Sequence, residues 1–221
     1  MPEHNHPKTA QTAKTANSVL RLGVLASGKG SNLQAIMDAI INRRLEAEVA
    51  IVISDNPTAY ALERARAVGI VALVCNPRTY ADRVEYEQAL VQALREQQVE
   101  LVILAGYMRL VGNTLLENFP NRIMNIHPAL LPAFPGLHGQ EQAWEYGVKF
   151  SGCTVHFVDQ EMDSGPIILQ AVVPVRDDDT AEVLAARILE QEHRIYPEAI
   201  QYYAQGSLEL IGRKVKVRPK P

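Results

Sequence analysis

Runs rich in Val, Ile and Leu recur along the chain as LRLGVLA (20–26), VAIVIS (49–54), IVALVC (70–75), VELVILA (99–105) and RIMNI (122–126). Between them, apolar residues follow helical spacing over 32–43, 59–68, 80–97 and 113–118. Near-continuous apolar strands alternating with helices predict a parallel sheet covered on both faces. The part up to about residue 120 is therefore expected to be a Rossmann-like, mostly parallel α/β half flanked by helices. Beyond it the pattern predicts a short helix (140–146) and two strands, GCTVHFV and PIILQAVVPV, joined by DQEMDSG. These two strands can hairpin or extend the sheet edge. A long helix over 180–203, with Asp179 or Thr180 as N-cap, closes the domain.

The remaining segments bound this unit. Residues 1–18 have no apolar core of the secretory kind and are expected to be a disordered tail. A transit peptide fits less well, because the segment has neither Arg nor an amphipathic period. Residues 207–221, ending in RKVKVRPKP, are expected to be a basic tail, either simply solvated or a phosphate-binding patch. A single domain over 19–206 is the expected organisation for a chain of 221 residues. The formal charge of −3 makes no electrostatic case for a nucleic-acid partner. No apolar run approaches the roughly 20 residues of a membrane span. Cys75 and Cys153 are isolated, with neither CxxC nor a His at metal-ligand spacing, so a reduced cytoplasmic interior is expected, with neither disulfide nor metal.

Three stretches carry candidate chemistry. SGKGSN (27–32) links the first strand to the first helix, where helix N–H groups can meet a phosphate. It is neither a Walker sequence nor a full GxGxxG, and no acidic residue clearly ends the second strand as a ribose reader. A purely structural turn also fits. AGYMRLVG (105–112) follows the fourth strand, as core packing or as a pocket wall. RIMNIHPALLPAFPGLHG (122–139) places Asn125 and His127 on one face of a strand that Pro128 ends. Either polar side chain, if buried, needs a partner or a cleft. Asp163, in the turn of DQEMDSGPI, is placed to approach His127, where a carboxylate favours and orients an imidazolium. An amide, an imidazolium and a carboxylate suit acyl transfer, with oxyanion stabilisation and proton movement. No nucleophile stands in a recognisable context, which points to direct transfer to an amine. His156 reads as structural support, His138 as a cleft or exposed loop residue, and Glu192 as a carboxylate on the apolar stripe of the last helix.

SGKGSNLQAI, VISDNPTAYALERA, VILAGYMRLV, IMNIHPALLPAFPGLHGQEQA, GCTVHFVDQEMDSGPIILQ and QEHRIYPEAI together resemble the phosphoribosylglycinamide formyltransferase family, in the family's order, over about residues 21–206. The resemblance implies the formyltransferase fold. It also implies formyl transfer from 10-formyltetrahydrofolate to the amine of glycinamide ribonucleotide, in purine biosynthesis, without metal. By motif it makes Asn125, His127 and Asp163 catalytic. It gives the ribonucleotide to Gly30, Ser31 and Asn32, with Arg83 assisting at the phosphate and Glu192 at the ribose. It gives the folate to Leu104, Met108, Arg109, Leu110 and Val111, and to Val158, Gln160, Glu161 and Met162 in the loop before Asp163. A monomer or homodimer is expected. Ala129, Ser164 and Leu189 depart from the family's usual Ser, Gly and polar residue. Formyltetrahydrofolate deformylase, with water as acceptor, is the rival, and a non-catalytic nucleotide-binding module accounts only for SGKGSN and the sheet.

Overall fold

The computed structural model describes residues 19–218. Strands β1 (Leu20–Leu25), β2 (Ala47–Ser54), β3 (Val71–Val74), β4 (Leu101–Leu104) and β5 (Ile123–His127) run parallel. Strands β6 (Phe150–Phe157) and β7 (Ile167–Pro174) continue the sheet antiparallel, so the two later strands both hairpin and extend the edge. The order across this seven-stranded sheet is β3-β2-β1-β4-β5-β6-β7. The progression reverses between β1 and β4, where the loops leaving the two carboxyl ends part and open a crevice.

Among the described residues six α-helices cover the faces: α1 (Ser31–Ile41), α2 (Tyr60–Ala67), α3 (Arg83–Glu96), α4 (Asn113–Asn118), α5 (Gly139–Tyr146) and α6 (Ala181–Ala204). Strand alternation sorts β4 between two core layers. Leu101 and Ile103 join Leu33 and Ile36 of α1 and Leu184, Ile188 and Ile195 of α6, while Val102 and Leu104 join Tyr86, Leu90 and Leu94 of α3 and Leu115 of α4. Each such side chain contributes about 1.5–3 kcal/mol by leaving water. The buried Tyr196 hydroxyl lies 3.0 Å from the Leu104 carbonyl and 2.9 Å from the Met124 carbonyl. Its single hydrogen serves one at a time, and the contact pins α6 across β4 and β5.

Two details differ from expectation and one decides between the alternatives it offered. Helix α3 begins at Arg83 because Asp82 accepts the Glu85 N–H at 2.9 Å as its cap, and 77–79 is a separate turn of 3-10 helix. Thr180 caps α6, accepting the Val183 N–H, whereas Asp179 takes two bonds from Arg187, at 2.6 and 2.7 Å. The third concerns the expected basic tail. Strands β8 (Leu208–Ile211) and β9 (Lys214–Val217) form a hairpin there, reversing at Gly212, and Leu208 and Val215 pack on the main core. Its alternation of apolar and charged residues is a strand pattern that the net positive charge obscures. The expected tail at 1–18 lies outside the described residues. No helix among the described residues is long and apolar enough to cross a membrane.

Candidate active site

The crevice is built on one side from the start of α1. Gly30 caps this helix with φ at 69°, and a Cβ there would lie 2.8 Å from Ala61 Cβ, so glycine allows α1 to begin against α2. The first bond of the helix runs from the Gln34 N–H to the Gly30 carbonyl at 3.0 Å. Helix geometry therefore leaves the N–H groups of Ser31, Asn32 and Leu33 free for an anion, at the positive end of the helix dipole. The Asn32 side chain turns inward and donates from Nδ2 to Glu192 Oε2 at 2.8 Å, while its own Oδ1 is buried without a partner. Glu192 is thus held on the apolar stripe of α6 facing α1. Burial raises its carboxyl above the ordinary range, and the Asn32 amide opposes that shift.

The other side belongs to β5 and β6. Asn125 and His127 stand at alternate positions of β5, opposite His156 and Thr154 of β6. Carbonyls only accept, so the 2.8 Å contact of His156 Nδ1 with the Phe157 carbonyl places a hydrogen on Nδ1. Burial lowers the His156 pKa, which leaves Nε2 as an acceptor. Asn125 Nδ2, 3.2 Å away, donates one hydrogen to it and keeps a second for the crevice. His156 is therefore what orients the Asn125 amide.

His127 is only 4% exposed. Its Nε2 lies 2.8 Å from the Phe134 carbonyl and its Nδ1 lies 3.4 Å from Asp163 Oδ2. Both nitrogens face oxygen atoms of the protein. Asp163 adopts φ of 52° in the β6–β7 turn, and its Oδ2 also accepts the Gly136 N–H at 2.7 Å. Asp163 Oδ1 lies 3.7 Å from His156 Nε2, so one carboxylate stands between both histidines. Two side chains of β5 and one from the distant β6–β7 turn thus meet at the end of β5. Thr154 and Gln170 fix the intervening loop by hydrogen bonds to the Ala129 and Leu131 backbone.

The loops between these sides carry the residues expected to meet folate. Leu104 is buried at the end of β4, Met108 and Leu110 expose apolar side chains, and Val111 packs on the core. The Met108 N–H donates to Ser27 Oγ at 3.0 Å, tying this loop to the one before α1. Val158 extends the β5–β6 pairing through the Ile123 carbonyl at 2.9 Å. Gln160 and Glu161 are exposed, and Met162, also exposed, lies over Gly136. A cleft of about 540 Å³ lies between the start of α3 and the 108–110 loop, lined by Tyr80, Arg83, Tyr86, Met108, Arg109 and Leu110.

Arg83, in the first turn of α3, donates to Glu87 Oε1 at 3.0 Å and to the Leu110 carbonyl at 2.7 Å, so its guanidinium lies against the loop after β4. Asp55, directly after β2, is an acidic residue that the strand pattern alone did not single out. Its Oδ2 lies 3.8 Å from Arg109 Nη1 and its Oδ1 is buried without a partner. The SDNP turn was the available signal. His138 is an exposed residue at the start of α5, 3.2 Å from Glu141. Arg213, in the hairpin expected to be tail, donates to the Ser164 carbonyl beside Asp163. Among the described residues no three His, Cys, Asp or Glu side chains gather as a metal-holding group.

A crevice at the reversal point of a parallel sheet, with a helix start on one side and an amide, an imidazole and a carboxylate on the other, defines an α/β group-transfer enzyme. The chain belongs to the formyl transferase family, which it matches over residues 20–200. It is 44% identical over 181 residues to the phosphoribosylglycinamide formyltransferase of Bacillus subtilis, covering 82% of this chain and 93% of that one. The crystal structure of glycinamide ribonucleotide transformylase 1 from Symbiobacterium toebii superposes with a TM-score of 0.90 at 56% identity, over 91% of this chain and 95% of that one. The chain also matches 19% of the trifunctional purine biosynthetic protein adenosine-3 of Homo sapiens, at 42% identity over 86% of its own length. A formyltetrahydrofolate deformylase from Pseudomonas syringae shares the fold, with a TM-score of 0.84, at 24% identity, over 91% of this chain and 67% of that one.

Proposed function

We propose that this chain transfers the formyl group of 10-formyltetrahydrofolate to the primary amine of 5-phosphoribosylglycinamide, yielding formylglycinamide ribonucleotide and tetrahydrofolate, in purine biosynthesis. The observation that carries this reading is the meeting of Asn125, His127 and Asp163 at the end of β5. The amine attacks the formyl carbon, the N10–formyl bond breaks, and the proton lost by the amine matches the one gained at N10. The free amide hydrogen of Asn125 donates to the oxyanion of the tetrahedral intermediate, and the His127 imidazolium, whose ring nitrogens face the Phe134 carbonyl and Asp163, stabilises it by its charge. Asp163 holds that imidazolium and assists proton movement.

The substrates take opposite sides of the crevice. Gly30, Ser31 and Asn32 present main-chain N–H groups to the phosphate, and Glu192 meets the ribose. Leu104, Met108, Arg109, Leu110 and Val111 form one wall for the folate, and Val158, Gln160, Glu161 and Met162 the other. Exposed Met108, Leu110 and Met162 are apolar surface that a pterin and its aromatic linker would cover. Arg83 stands with the folate wall. Metal has no part in this reaction scheme. The cytoplasm suits a chain whose Cys75 and Cys153 are both free and buried.

The test is to mix the protein with 10-formyltetrahydrofolate, with and without glycinamide ribonucleotide, and follow tetrahydrofolate by absorbance. Product is expected only when the nucleotide is present. Equal product without it would make water the acceptor and the chain a deformylase.

A further inference from the structure

We infer that Glu87 is a positioning residue for the formyl donor, an anchor on α3 that sets the 108–112 loop and Arg83 as one rigid wall. The inference rests on that loop being the folate wall. Glu87 is 4% exposed, at a position that helix periodicity would fill with an apolar residue. Its Oε1 accepts the Gly112 N–H at 2.6 Å and the Arg83 Nε–H at 3.0 Å, and its Oε2 accepts the Leu115 N–H at 3.2 Å. Arg83 then donates to the Leu110 carbonyl at 2.7 Å. One ion pair on α3 therefore holds the loop at Leu110, Gly112 and Leu115.

Two further observations point the same way. Helix α4 has no side-chain cap of its own, and Glu87 supplies from another element the carboxylate that Asp82 supplies locally to α3. At Gly112 a Cβ would stand 2.5 Å from Glu87 Oε1 and 2.8 Å from Arg83 Nε, so the backbone reaches the carboxylate only because the residue is glycine. Apolar packing would cover this spot without the cost of desolvating a charge. What the carboxylate adds is direction, since its acceptors fix where the loop's N–H groups point. Arg83, Glu87, Met108, Arg109 and Leu110 all line the same cleft.

Glu87→Gln and Gly112→Ala test this by independent routes, each assayed at varied concentrations of both substrates. The expected result in each is a KM for 10-formyltetrahydrofolate raised about tenfold, equivalent to about 1.4 kcal/mol. The kcat and the KM for the ribonucleotide are expected to stay within about threefold. In the Glu87→Gln background, Arg83→Ala is expected to raise the folate KM further by less than it does alone, because the two side chains act as one unit. A lowered melting temperature with the folate KM unchanged in both variants would reduce Glu87 to a structural role and overturn the inference. Met108→Ala separates the two layers of the argument. If it raises the folate KM while Glu87→Gln does not, positioning by Glu87 fails. If neither changes it, the folate-wall reading fails, and the inference with it.

Discussion

The two sides of the crevice are made of different material. At the start of α1 the groups offered to a ligand are main-chain N–H groups, fixed by a left-handed Gly30 packed on Ala61. Along β5 and β6 they are side chains, each held in turn: His156 turns Asn125, Asp163 faces His127, and the main-chain N–H of Gly136 holds Asp163. A surface of main-chain groups depends on backbone shape and survives the loss of most side chains, whereas a surface of side chains fails with any one of them. The sharpest test of this difference is Asn125→Ala. It removes the amide donor and leaves the strand intact, so kcat is expected to fall about 10²–10³-fold, the range found when one oxyanion donor is lost. The ribonucleotide should still bind with affinity within a few-fold, measured by titration calorimetry. A variant that lost nucleotide binding in proportion to turnover would break the division between the two sides.

The helix start should respond the opposite way. Ser31→Ala keeps every main-chain N–H and is expected to change the KM for the ribonucleotide by about threefold or less. Gly30→Ala forces a Cβ into a left-handed conformation, at about 1–2 kcal/mol, and against Ala61. It should raise that KM about tenfold while kcat changes little. Steady-state kinetics on the pair decides the point. A larger effect from the serine would mean that the phosphate is held by side chains after all.

The same division explains what could be read from sequence. Strands β1, β2, β4 and β5 announce themselves as Val/Ile/Leu runs because both faces are buried, and the alternation of Asn125 with His127 gives their shared face at once. The encounter of Asp163 with His127 was legible only as a possibility, since it depends on the β6–β7 register and on a left-handed residue in the turn. Glu87 was not singled out, although it stands on the apolar stripe of α3 with Leu90, Val91 and Leu94. Its partners could not be read, because they are main-chain groups of the loop that folds over it. Hairpin β8–β9 was hidden because short strands with alternating Lys and Val read equally as a charged tail.

The smallest predicted effect concerns Glu192, a side chain standing on the main-chain side. Its folded-state pKa is raised by burial, so between the unfolded value of about 4.3 and the folded one the folded chain holds more protons than the unfolded chain. Stability from this group is therefore full below about pH 4 and declines as pH rises through that window. Glu192→Gln removes the dependence. Its amide also brings a donor to a neighbourhood where Asn32 Oδ1 has none. The variant is expected to melt about 2 °C above the parent at pH 7.5, a gap that closes toward pH 4.5. On the proposed reading of Glu192 as the acceptor for the ribose hydroxyls, the same change should weaken ribonucleotide binding. Melting curves of both proteins across pH measure this directly. Parallel curves would mean that Glu192 is already solvated in the empty protein.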